Sequence, residues 1–201
     1  MACGRGMMGI GTLIIFIAVI LVAAIAASVM ITTSGSLQQR SLITGSQAEE
    51  GVSSGVEAIS LMATDGDTGH DLEDFELIVK LQSGSSSMNL NHTLVLFDTP
   101  STTQSLDYGG TVADGVQAAD TRTYAVTYVK EGPNYDTDYL SRGDLIKIKF
   151  RCFDCTGSGD AGGVGENKQV RIKIIPLVGS TTPVEFTTPN AIKERRLTLW
   201  P

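Results

Sequence analysis

A chain of 201 residues with 42% hydrophobic content is long enough for one domain with a real core and an appendage. Its formal net charge of -7, from 22 acidic against 15 basic residues, excludes nucleic acid as a partner, because phosphate-backbone binding needs a basic face to release counterions. An acidic surface rich in Ser, Thr and Gly suits a domain that stays soluble at high local density.

The hydrophobicity is concentrated at one end. No charged residue stands between Arg5 and Arg40, and residues 13–31, "LIIFIAVILVAAIAASVMI", are interrupted by a polar side chain only at Ser28. As a helix that run is about 28 Å long, close to the thickness of a bilayer core, so it can span one. With Arg5 on one side and no basic residue on the other before Arg40, the N-terminus is expected in the cytoplasm and the bulk of the chain outside. A secretory signal has a shorter apolar core followed by a small-residue cleavage site, and the pairs Ala23-Ala24 and Ala26-Ala27 lie within this run rather than after it. A helix apolar all round must be covered by lipid or protein. Gly9, Gly11, Ala18, Ala23, Ala24, Ala26 and Ala27 are small enough to let copies of the helix approach closely, with Leu13 and Phe16 as bulky packing partners. The competing reading is a single-pass anchor carrying a monomeric ectodomain. Gly9-Ile10-Gly11 is expected to loosen the first turn.

The stretch "RGMMGIGTLIIFIAVILVAAIAASVMITTSGSLQQR", residues 5–40, resembles the N-terminus of the archaeal flagellins, or archaellins, whose filaments are built like type IV pili. In that family a dedicated peptidase cuts after a glycine preceded by a basic residue, on the cytoplasmic side of the apolar segment. The resemblance therefore implies cleavage between Gly6 and Met7, a leader of residues 1–6, and a hydrophobic helix kept on the mature chain. Bacterial type IV pilins carry a glutamate five residues into the mature sequence; Gly11 stands at that place here, as in archaellins.

Residues 32–55 turn polar and are read as a continuation of the helix that frays into a connector. Within them "GVSSG", residues 51–55, spells the G-x-S-x-G of a nucleophile elbow around Ser53, but that motif needs a strand before it and a helix after it, and "SQAEE" precedes it. From Val56 onward strand patterns dominate: "VEAISLMA", "DFELIVKLQ", "NHTLVLFDT", "TRTYAVTYVK", "DLIKIKFRC", "KQVRIKIIPLV" and "TPVEFTTP". "LIKIKF" and "VRIKII" alternate apolar and basic residues, which predicts antiparallel-type strands with one face buried and the other wet. Some seven strands in this length have the count of an immunoglobulin-like β-sandwich, and the archaellin resemblance implies the same architecture.

Loops between these strands carry four further motifs. Asp65, Asp67 and Asp71 in "DGDTGHD" offer oxygens to calcium, but the twelfth position of an EF-hand loop falls on Glu76 inside a strand pattern, which favours an acidic turn. Asn91-His92-Thr93 is a glycosylation sequon at the edge of a strand, and resemblance to a commonly glycosylated family implies a glycan on Asn91. Cys152 and Cys155 form a C-x-x-C with no second ligand pair for zinc; on a chain with an external fate a disulfide is favoured over free thiols or redox catalysis. "GSGDAG" fits a dinucleotide fingerprint in spacing only, because a strand follows it where a helix is required. The tail "NAIKERRLTLWP" extends past the last family-like strand and is assigned, at most, an interfacial role between subunits.

The sequence thus predicts an α+β chain with a leader (1–6), a hydrophobic filament-core helix and connector (7–50), and an immunoglobulin-like β-sandwich with a C-terminal tail (51–201). The expected role is structural: a subunit of the archaeal flagellum filament, self-assembling through its N-terminal helices, with an archaeal adhesion pilin as the alternative. Expected partners are identical subunits, the leader peptidase, the export and motor machinery, and the membrane before assembly. No enzyme activity, cofactor or metal is expected.

Overall fold

The computed structural model describes residues 4–66, 71–112, 122–152, 155 and 162–201; for residues 4–8 it describes the backbone alone. The chain divides into two compact units, residues 1–48 and 49–201.

The described residues of the first unit, 4–48, are helical. Helix α1 (Gly4–Ser53) continues without a break through Gly9-Ile10-Gly11 and through the polar residues beyond Thr32, so neither the loosened first turn nor the fraying connector is present. The polar part holds strong helix formers in Leu37, Gln38, Gln39, Arg40, Leu42, Gln47, Ala48, Glu49 and Glu50, and its hydroxyls are satisfied inside the helix. Thr12 Oγ1 donates to Gly9 O at 2.9 Å, Thr32 to Ser28 O at 2.9 Å, Thr33 to Val29 O at 2.9 Å, Ser36 to Thr33 O at 2.9 Å and Ser46 to Ile43 O at 3.0 Å. Bonded to the preceding turn, these hydroxyls leave no donor unpaired on the helix surface.

The second unit contains β1 (Val56–Ala63), β2 (Asp74–Leu81), β3 (Met88–Asn89), β4 (Leu94–Asp98), β5 (Thr103–Thr111), β6 (Thr123–Lys130), β7 (Tyr139–Leu140), β8 (Leu145–Arg151), β9 (Gln169–Ile175), β10 (Thr182–Thr187) and β11 (Leu197–Trp200). Among the described residues nine of these join in the order β10-β9-β4-β5-β6-β8-β2-β1-β11, and β3 pairs with β7. β5 passes from one layer to the other. Its first half runs antiparallel to β4, with Leu106 opposite Val95, and its second half runs parallel to β6, with Tyr108 opposite Tyr124. That one parallel pairing departs from the antiparallel expectation. The register slips between Tyr108 and Thr111, where Gly110 has φ +105° and a Cβ on Gly109 would stand 3.0 Å from the Thr123 side chain. Glycine suits both positions: a side chain at Gly110 would be strained at that φ, and one at Gly109 would have to push Thr123 aside by a few tenths of an ångström.

The layers β10-β9-β4-β5 and β6-β8-β2-β1-β11 close face to face around aromatic rings. Phe75 of β2 lies 5.2 Å from Phe97 of β4 and 6.2 Å from Phe186 of β10, and Phe97 lies 5.5 Å from Phe150 of β8. Leu61, Leu77, Val95, Leu106, Ile146 and Ile172 complete a core with no solvent exposure. In β9 the alternation works as read, with Val170, Ile172 and Ile174 inward and Arg171 outward against Glu185 at 2.6 Å.

β8 does not obey it. Lys147 and Lys149 of "LIKIKF" were expected to face water, yet their side chains are only 13% and 7% exposed. The Glu76 carboxylate of the neighbouring β2 stands 3.6 Å from the Lys147 ammonium, 3.9 Å from that of Lys149 and 3.7 Å from the Arg196 guanidinium, which compensates the burial of these charges. The tail is likewise not loose: β11 pairs antiparallel with β1, Trp200 opposite Leu61, and extends the sheet.

Candidate assembly element

The candidate element is α1 itself. Its apolar side chains are exposed all round: Leu13 at 59%, Phe16 at 64%, Val22 at 67% and Met30 at 74%. Water cannot be the final surroundings of such a surface. At 100° per residue Gly9, Ala23, Ala26 and Ala27 share a stripe about 100° wide, whereas Gly11 and Ala18 fall outside it, about 160–180° round the helix from Gly9. Small residues on two sides suit a helix with neighbours of its own kind in more than one direction. The Gly9 and Gly11 backbones have open space around them, and Ala23, Ala24 and Ala27 are exposed, so a neighbour can reach all five. The bonded Thr and Ser hydroxyls let the same surface enter lipid or protein without stranding donors. Gly6 and Met7 lie within the helical backbone, near its start.

The other sequence candidates fall on the sandwich. Asn91 is exposed, but it sits in a 3-10 turn (Leu90–His92) ahead of β4 rather than on a strand edge. Asn89 caps this turn through its side chain, at 2.9 Å from the Asn91 amide. The buried Tyr124 hydroxyl anchors it from below, donating to Leu90 O at 3.1 Å and Thr93 O at 2.9 Å. The sequence reading missed that anchor, whose only trace is a tyrosine at an inward position of "TRTYAVTYVK". Cys152 and Cys155 are both buried, their Cα atoms 6.0 Å apart, within disulfide reach, and their sulfurs are in bonding contact.

Asp65 and Asp71 do not converge on a cation. Asp65 Oδ2 accepts the Glu73 amide at 2.8 Å and Asp71 Oδ2 accepts the Gly163 amide at 2.9 Å, each fixing its own loop; Asp67 lies outside the described residues. Among the described residues no group of His, Cys, Asp and Glu is placed to hold a metal. Around Ser53 the order is helix then strand, the reverse of a nucleophile elbow.

Three tyrosines give the sandwich an alkaline limit. Burial pushes the Tyr108 phenol up from 10.0 to about 12, helped by its hydrogen bond to Asp138, and burial also raises Tyr124 and Tyr128. A raised folded pKa stabilises fully below the unfolded value and is lost above it, because the unfolded chain ionises first. Unfolding midpoints in urea are therefore expected to hold up to pH 10 and to fall steadily as the pH rises toward about 12.

The archaeal-type flagellin family model matches residues 6–186. The chain belongs to the archaeal-type flagellin family. Flagellin B5 of Pyrococcus abyssi is 32% identical, over 92% of this chain and 94% of its own, and flagellin B2 of Halobacterium salinarum is 31% identical, over 95% and 92%. In fold the chain is similar to a crystal structure of an archaeal flagellin from Methanocaldococcus jannaschii (TM-score 0.63, 16% identity, 73% of this chain and 97% of that one). It is also similar to the archaeal flagellum of Methanospirillum hungatei strain JF1 (TM-score 0.70, 15% identity, 96% and 99%). A flagellin is a structural filament subunit, and α1 is the part of this flagellin that must be covered by something else. The flagellin match ends at Phe186, so β11, which completes the sheet beside β1, lies beyond it.

Proposed function

We propose that this chain is the repeating subunit of an archaeal swimming filament and that α1 is sheltered first by lipid and then by other copies of itself. Cleavage between Gly6 and Met7 on the cytoplasmic side releases residues 1–6. Residues 7–50 then form the filament core, and residues 51–201 form the outer sheath. The partners are identical subunits, the leader peptidase and a membrane export and motor platform; the final location is outside the cell. The single observation that carries this reading is α1: uncharged from residue 6 to 39, exposed all round, and with hydroxyls bonded to its own backbone.

Asn91, exposed on its turn, is the proposed glycan acceptor, and Cys152 with Cys155 the proposed disulfide. One experiment reads all three modifications. Surface filaments sheared from cells and analysed by N-terminal sequencing and intact mass are expected to give a subunit starting at Met7, carrying a glycan on the peptide with Asn91, and gaining two hydrogens on reduction. Absence of this chain from the sheared filaments, with the protein found only as monomers in the membrane, is the result that rejects the reading.

A further inference from the structure

The fold splits the sequon Asn91-His92-Thr93. Asn91 is exposed, whereas Thr93 is only 5% exposed. In an extended chain, residues two apart point to the same face, so an enzyme that reads Asn-x-Thr meets both side chains together. Here the 3-10 turn (Leu90–His92) leaves Asn91 on the surface and Thr93 beneath it. The Thr93 hydroxyl is the group that marks Asn91 as an acceptor. It donates to Asn89 O at 3.0 Å, and the Thr93 amide donates to Leu90 O at 3.1 Å. A recognised hydroxyl has to come within hydrogen-bond distance of the enzyme that reads it, and a residue that water barely reaches does not.

Several bonds hold the turn closed. The buried Tyr124 hydroxyl joins its two ends, donating to Leu90 O at 3.1 Å and Thr93 O at 2.9 Å. Leu90 is 2% exposed, and its amide donates to Asp138 O at 2.9 Å. The Asn89 side chain accepts the Asn91 amide at 2.9 Å and donates to the Tyr139 hydroxyl at 3.0 Å. Extending residues 89–93 gives up these bonds together and draws Leu90 out of the core. Such an opening belongs with the cooperative unfolding of the sandwich, not with the fraying of a loop.

We infer that Asn91 receives its glycan before the sandwich closes, while residues 89–93 are still extended, and that the closed domain is not a substrate for the transfer. The co-reactant is an activated glycan, a glycosyl phosphate. Its anomeric C–O bond breaks, a C–N bond to Asn91 Nδ2 forms, the phosphate leaves with the electron pair, and the proton displaced from Nδ2 passes to solvent. Folding then buries Thr93 and leaves the modified Asn91 at the surface.

This order rests on the glycan proposed at Asn91, and the experiment separates the two. The transferase acting on this chain is silenced in the producing cells and later restored, with isotope labelling to distinguish chain made before restoration from chain made after it. Full-length chain is taken from the membrane fraction, and the mass of its peptide containing Asn91 is read. Chain made after restoration is expected to carry the glycan, and chain made before it to carry about tenfold less, because modification of a hidden site follows the population of the open form. Phe97→Ala, which removes a core ring packed on Phe75 and Phe150, raises that population by about a hundredfold. Its earlier-made chain is expected to gain the glycan once the transferase returns. Equal glycan on earlier and later unaltered chain overturns the order. Earlier Phe97→Ala chain that stays bare while later chain is modified overturns the fold as its cause. Chain bare at Asn91 throughout overturns the acceptor as well, and leaves the filament reading standing.

Discussion

Replacing Gly9 and Ala23 together by leucine is expected to abolish filaments while leaving membrane insertion intact. Both residues lie on one stripe of α1, and the Gly9 backbone has open space around it, so the added side chains meet nothing within the subunit. Leucine is also the better helix former than glycine and makes the segment more apolar, by about 0.3–0.6 kcal/mol per residue toward insertion. Ala23→Leu gives up only a small helix propensity, so the intramolecular effects together favour the helix and its place in the bilayer. Only the approach of a second helix suffers, because association of apolar helices depends on close backbone contact rather than on hydrophobicity. Electron microscopy of sheared surface material, with membrane fractionation of the same cells, checks both halves. Normal filaments from the double variant reject close packing along this stripe. Loss of the protein from the membrane fraction rejects the claim that the effect is purely intermolecular.

α1 was legible because an uncharged run of that length admits only lipid or protein around it, and the exposed helix keeps that requirement visible. β9 was legible because Arg171 and Lys173 alternate with Val170, Ile172 and Ile174 and the alternation holds in space. β8 shows where period two stops being informative. It tells that Lys147 and Lys149 share a face, but not that Glu76 on the next strand waits there, because pairing partners across a sheet are set by topology. The one hint was a lone carboxylate inside the apolar run "FELIV". β5 was missed because Gly109 and Gly110, which stand at its slip in register, look like a turn in sequence. β11 was missed because four residues after a basic cluster carry too short a pattern to count. The polar half of α1 was misjudged for a different reason: its Ser, Thr and Gly residues drew the eye, while Leu37, Gln38, Gln39, Arg40, Leu42, Gln47, Ala48, Glu49 and Glu50 among them are strong helix formers.

Phe97→Ala is expected to remove most of the sandwich's stability without dislodging the protein from the membrane. Phe97 is 1% exposed, and its ring meets Phe75 at 5.2 Å and Phe150 at 5.5 Å, so it joins β4 of one layer to β2 and β8 of the other. Truncating such a side chain costs about 3–5 kcal/mol, from lost transfer energy and the cavity left among rings that can only partly collapse. Against a domain stability of about 5–15 kcal/mol that is a large fraction. Trp200, the single tryptophan, sits half-buried on β11 beside β1 and reports on the sandwich alone. Its fluorescence in urea, followed on the full chain in detergent, is expected to show a midpoint lowered by about 2 M for the variant, given a slope of about 2 kcal/mol per molar. Because the apolar part of α1 lies within residues 1–48, a compact unit separate from the sandwich, its insertion does not depend on the sandwich core, and fractionation is expected to be unchanged. A midpoint shifted by less than about 0.5 M would mean that the layers are not held together through this ring, since even a partly collapsed site loses more than that.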